Sequence, residues 1–137
     1  MAYEGQEIRA PDGFTLRLVT LTPDLLEMDA SYPGTAGFPP EHLHPHQRER
    51  FEVLEGTVRA IVAGSERVYG AGESFDVPQG TAHQMAAEGP ARVRWQVRPA
   101  LRTAEFFERL YGSGPGSARE LGAAFLTEFA DEIRLTP

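Results

Sequence analysis

Four histidines stand in this chain, and three of them, His42, His44 and His46, fall within one short segment; the fourth, His83, comes well downstream. His42 and His44 are two residues apart, so on an extended strand both imidazoles point to the same face. Glu49 shares a parity with Phe51 and Val53, and it joins their inward-facing set once a bulge or turn near Pro45 resets the phase. Two imidazoles and a carboxylate from one segment, with a third imidazole from a distant strand, make a borderline ligand set for a divalent metal. Such a site keeps positions open for water or substrate. His46 has the parity of His42 and His44, which makes it an alternative ligand or a group bonding to a ligand. A surface place at the bulge is the simpler reading for it.

Other chemistries are excluded by composition. There is no cysteine, which removes disulfides, thiolate zinc sites, iron–sulfur clusters and cysteine nucleophiles. There is no lysine either, so Schiff-base chemistry and a P-loop lysine are absent. Thirteen basic residues against 20 acidic ones give a net charge of −7, the wrong sign for a nucleic-acid partner. No GxSxG is present, and the Gly-rich stretch at 112–117 follows a helical pattern, which makes it a linker and not a phosphate cradle. No apolar run approaches membrane-spanning length, and Met1-Ala2-Tyr3-Glu4-Gly5 lacks the basic-then-apolar pattern of a secretory signal. A soluble, cytoplasmic protein with no membrane partner is expected.

The elements that must hold the histidines are short strands. Residues 14–21 alternate apolar and polar with a β-branched bias, and 25–32 form a candidate return strand. Further strands are expected at 50–55, 57–63, 66–69, 74–77, 82–87 and 91–98, separated by Gly56, Gly64-Ser65, Gly70-Ala71-Gly72, Gly80 and Gly89-Pro90. That spacing describes an antiparallel sandwich or barrel, without crossover helices. After Pro99 the period changes. Residues 103–111 put Phe106, Phe107, Leu110 and Tyr111 on one helical face, with Thr103 as a candidate cap. Ser117, with Glu120 three residues on, opens a second helix whose stripe is Leu121, Phe125, Phe129 and Ile133.

Here the chain resembles a known superfamily. His42-Leu43-His44, four residues, Glu49, six residues and Gly56 resemble the first cupin motif, and Gly72, five residues, Pro78-Gln79-Gly80, two residues and His83 resemble the second. The resemblance covers about residues 14–100 and implies an all-β jelly-roll β-barrel over residues 1–100. Residues 101–137 would follow as two short C-terminal helices packed on the barrel or on a partner subunit, a layout similar to that of small single-domain cupins. It also implies that His42, His44, Glu49 and His83 bind a divalent ion (Fe, Mn, Ni or Zn), and that the protein is a homodimer. The function implied is metal-dependent chemistry on a small molecule, of dioxygenase, isomerase or decarboxylase type. The alternative is a non-catalytic metal or small-molecule binding or sensing module. Phe51, Met85 and Trp95 are candidates for a pocket wall, each equally at home in the core. Arg92, Arg94, Arg98 and Arg102 form a basic run whose ordinary fate is a solvated face or pairing with acids.

Overall fold

The computed structural model describes residues 1–137. The chain runs β1 (Glu7–Arg9), β2 (Thr15–Leu21), β3 (Leu26–Tyr32), β4 (His42–Leu43), β5 (Arg48–Glu55), β6 (Thr57–Val62), β7 (Ser65–Gly70), β8 (Ser74–Val77), β9 (His83–Ala87) and β10 (Ala91–Arg98). It ends with α1 (Thr103–Tyr111), α2 (Ala118–Leu121), α3 (Ala123–Glu128) and β11 (Arg134–Leu135). One sheet has the order β1-β2-β3-β10-β5-β8 and the other β11-β4-β9-β6-β7, and every pairing is antiparallel. This is the expected jelly-roll architecture, with two sheets that do not close on one another.

Alternation decides which side chains enter. Along β5, Arg48, Arg50 and Glu52 are exposed while Glu49, Phe51 and Val53 are buried, and along β10 Val93 and Val97 are buried between the polar residues Arg92, Arg94, Gln96 and Arg98. Leu16, Leu18, Leu26, Met28, Ala30, Val53, Val58 and Val93 are fully buried and form the centre of the core. Gly56 ends β5 at φ +79, where a Cβ would stand 2.2 Å from the Pro90 carbonyl oxygen, so no other residue fits this turn.

The helical tail differs from expectation in two places. Thr103 is the first helical residue and not the cap, a position held by Arg102; its hydroxyl instead accepts from Gln47 Nε2 at 2.8 Å. The second helix does begin at Ser117, whose side chain accepts from the Glu120 amide, but it breaks at Gly122 (φ +55) into α2 and α3. The stripe survives the break, because Phe125 and Phe129 still pack with Phe106 in a small second core. Beyond α3 the chain returns to the sheet. β11 pairs with β4, Arg134 opposite Leu43 and Leu135 opposite His42, so residues 101–137 supply a strand as well as helices.

Candidate metal centre

Three hydrogen-bonded devices bring the histidines together. β4 is only two residues long, and its one register pair with β9 sets His42 opposite His83. The Pro78-Gln79-Gly80 turn clasps the turn after β4: the Gly80 amide donates to the His44 carbonyl at 2.9 Å, and Gln79 Nε2 donates to the Pro45 carbonyl at 2.9 Å. Gln47, fully buried, donates to the carbonyls of Pro99 and Ala100 at 2.9 and 3.0 Å, fixing the same turn to the start of α1.

The result is a compact cluster. One ligand atom from each of His42, His44 and His83 lies within 4.8 Å of the others. Glu49 enters from β5: Oε1 stands 3.0 Å from His44 Nε2 and 2.9 Å from His83 Nε2, while Oε2 accepts from Trp95 Nε1 at 2.7 Å. Glu49 makes no such contact with His42, so the four residues converge as three imidazoles with a carboxylate against two of them.

The far side of each ring assigns its tautomer. Nδ1 of His42 faces the Pro40 carbonyl at 3.0 Å, that of His44 the Glu132 carbonyl at 2.7 Å, and that of His83 the Thr81 carbonyl at 2.9 Å. A carbonyl only accepts, so each Nδ1 carries the proton, and a neutral ring then presents a lone pair at Nε2. His44 Nε2 and Glu49 Oε1 are both buried with no hydrogen bond, although they lie 3.0 Å apart. Two bare acceptors at that distance repel unless a positive charge, a metal ion or the proton of an imidazolium, sits between them. The donor set, imidazole nitrogen plus carboxylate oxygen with every outer N–H already engaged, fits a divalent transition metal.

In the metal-free cluster a proton on His44 facing Glu49 does part of a cation's work. Burial alone would push Glu49 up, but the charges and hydrogen bonds of His44 and His83 outweigh it and hold the carboxyl well below its usual range. Burial likewise depresses His44, yet Glu49 and the Glu132 carbonyl together raise it above the ordinary imidazole value. His42 lies in the opposite balance: burial, reinforced by the neighbouring His83 and His44, takes it down to about 4 against the pull of the Pro40 carbonyl and Glu49. It is also the half-buried member, while His44 and His83 are buried, so solvent reaches the cluster from the His42 side.

The remaining candidates separate cleanly. His46 is exposed and faces Asp131 at 3.9 Å, away from the cluster. Phe51 is buried and stacked between Phe75 and Trp95, a core residue and not a wall. Met85 and Trp95 are half-buried. Of the arginine run, Arg92 pairs with Asp29 and Glu55, Arg94 with Glu27, and Arg102 with Glu105 and Glu128. Arg98 borders an open hollow of about 640 Å³ with Asp24, Arg48, Pro78, Gln79 and Pro99, which holds none of the histidines. What side-chain spacing could not reveal is the support: the Trp95 N–H on Glu49, and the Glu132 carbonyl on His44, contributed from 88 residues away.

The fold, the two motifs and this cluster define a cupin. The Cupin domain family model matches residues 30–97, and the chain belongs to the cupin superfamily. Among solved structures it is similar to an RmlC-like cupin from Shewanella frigidimarina, with 20% identity, a TM-score of 0.65, and coverage of 75% of this chain and 93% of that one. KdgF from Halomonas sp. has 21% identity and a TM-score of 0.63, covering 72% and 94%. Pac13, a nucleoside dehydratase, has 16% identity and a TM-score of 0.58, covering 72% and 83%. At these identities the likeness is one of fold. None of the curated proteins matches the sequence. No helix is long and apolar enough to cross a membrane.

Proposed function

We propose that the protein is a metal-dependent enzyme acting on a small molecule, with His42, His44, Glu49 and His83 as the metal ligands. The observation that carries this reading is the convergence of buried ligand atoms: His44 Nε2 and His83 Nε2 stand 3.0 and 2.9 Å from Glu49 Oε1, with His42 in the same cluster. His42, His44, Glu49 and His83 would hold a divalent ion, which would supply Lewis acidity toward a substrate oxygen. The chain's own groups do the rest. The carbonyls of Pro40, Glu132 and Thr81 hold the three rings in the ligating tautomer. Trp95 holds the carboxylate by its second oxygen. The half-buried His42 marks the open side by which substrate enters. A small-molecule substrate, a homodimer, a cytoplasmic setting and a division into a barrel at 1–100 and an extension at 101–137 belong to the same proposal.

Elemental analysis of untagged protein purified without chelator, with Glu49→Ala beside it, tests the site. Near-stoichiometric metal in the wild type and its loss in the variant are expected. A wild-type protein that holds no metal even after reloading overturns the proposal.

A further inference from the structure

Beyond Glu49 a row of aromatic rings leads away from the histidines. Trp95 holds Glu49 and meets Phe107 of α1 edge-on, with ring centroids 5.2 Å apart. Phe107 lies parallel to Tyr111, one turn on, at 6.2 Å and 7°. Tyr111 meets Phe14 at 5.8 Å, and Phe14 meets Tyr32 of β3 at 4.8 Å. All five rings pack against the main core, yet each is only half-buried. Rings of this size set among core residues are ordinarily covered, and a phenol that goes in with them ordinarily finds a partner. Here neither the Tyr32 nor the Tyr111 hydroxyl hydrogen-bonds to any protein group, and neither is sealed from solvent. Solvent therefore reaches into this row of rings, and two hydroxyl groups stand there without protein partners.

We propose that this row is the substrate slot of the metal centre, and that it takes a planar ring bearing a hydrogen-bond acceptor. The ring stacks on the parallel faces of Phe107 and Tyr111 and meets Trp95 edge-on, and its acceptor receives hydrogen bonds from the hydroxyls of Tyr32 and Tyr111. The inference rests on the metal-centre reading above and adds the class of substrate to it. Planarity follows from the walls, since aromatic faces reward flat partners over saturated rings of the same bulk. Burial, the first cause for both phenols, pushes the two hydroxyls up, Tyr111 to about 12, so each remains a donor at neutral pH.

The chain has a single tryptophan, and it stands at the junction of slot and metal centre, so its fluorescence reports occupancy directly. Benzamide and cyclohexanecarboxamide are the probes: both are neutral amides, one planar and one puckered. Each is titrated into the full-length protein, metal-loaded and metal-free, with metal content measured on the same samples. Benzamide is expected to bind about fivefold more tightly than its saturated counterpart. Tyr32→Phe and Tyr111→Phe, which keep the rings, should each weaken benzamide about fivefold. Equal affinity for the two amides, indifference to both substitutions, or binding of neither amide overturns the slot. Loss of the ring preference in a protein that retains metal sinks the slot alone; a ring preference in a protein that takes up no metal on reloading sinks the metal centre alone.

Discussion

Trp95→Phe separates the carboxylate's orientation from its presence. The indole N–H donates to Glu49 Oε2 at 2.7 Å, and it is the only donor on that oxygen. A phenyl ring at 95 keeps much of the stacking on Phe51 and the edge contact with Phe107, which have centroid distances of 5.3 and 5.2 Å in the parent. The substitution therefore deletes mainly one charge-assisted hydrogen bond, worth about 1.5–3 kcal/mol. Glu49 then turns about its remaining contacts with His44 and His83, and Oε1 no longer has a fixed aim. Loss of a group that orients a ligand costs about 10- to 100-fold in metal affinity, the same range that the hydrogen-bond energy gives. Competition against a coloured chelator measures this without relying on the deleted fluorophore, and circular dichroism follows unfolding. A Trp95→Phe protein that is folded and binds metal as tightly as the parent refutes the argument, because Glu49 would then be aimed by something other than the indole.

Three further outcomes are expected. His83→Ala removes a ring that faces Glu49 and should abolish tight metal binding, whereas His46→Ala, at an exposed ring beside Asp131, should leave it intact; equal losses in isothermal titration would mean that the wrong histidines are assigned. Metal stabilisation should grow with pH. His44 is raised, so its contribution to the metal-free fold is fully present below the ordinary imidazole value and is lost as pH rises through its folded value. His42, lowered to about 4, costs stability as pH falls below 6.5, and Glu49's contribution is lost only at lower pH still. The metal-free protein thus weakens on the alkaline side, where metal no longer competes with the His44 proton, and the Tm gain on loading should widen from about pH 6 to about pH 8; a constant gain in differential scanning fluorimetry contradicts this. Leu135→Pro changes an exposed side chain but disrupts the pairing of β11 with β4. Metal affinity should fall about tenfold with the far-ultraviolet spectrum unchanged, and an undiminished affinity would show that β4 is held without the tail.

The strands that sequence pattern locates well are those with enough residues to alternate: 74–77 and 91–98 coincide with β8 and β10, and 14–21 and 25–32 miss β2 and β3 by a residue. The strands it misses are β1, β4 and β11, of three, two and two residues. Nothing that short carries a period, and each exists because a remote partner supplies its hydrogen bonds. The break at Gly122 falls inside the stripe of Leu121, Phe125, Phe129 and Ile133, which by itself describes one continuous helix. The stripe reports what must be buried, and the backbone is free to change course within it.

The centre itself divides along the same line. Its donor atoms were legible because HxH spacing on a strand and a carboxylate of matching parity are local facts about side chains, and the structure brings all four residues together. What aims them is of a different kind. Pro40, Thr81 and Glu132 act through backbone carbonyls, which every residue possesses and which therefore leave no mark in the residue types. Two of these lie within two residues of the ring they hold, so the strand conformation supplies them without further cost. The third does not. The His44 ring depends on a carbonyl from the segment between α3 and β11, and that segment is in turn held by β11 on β4 and by the Thr136 amide and hydroxyl on Glu41. Residues 132–136 reach back to the first motif, so the aim of the His44 ring in the proposed metal centre depends on the completion of the fold, and the tail positions the site although it contributes no side chain to the cluster.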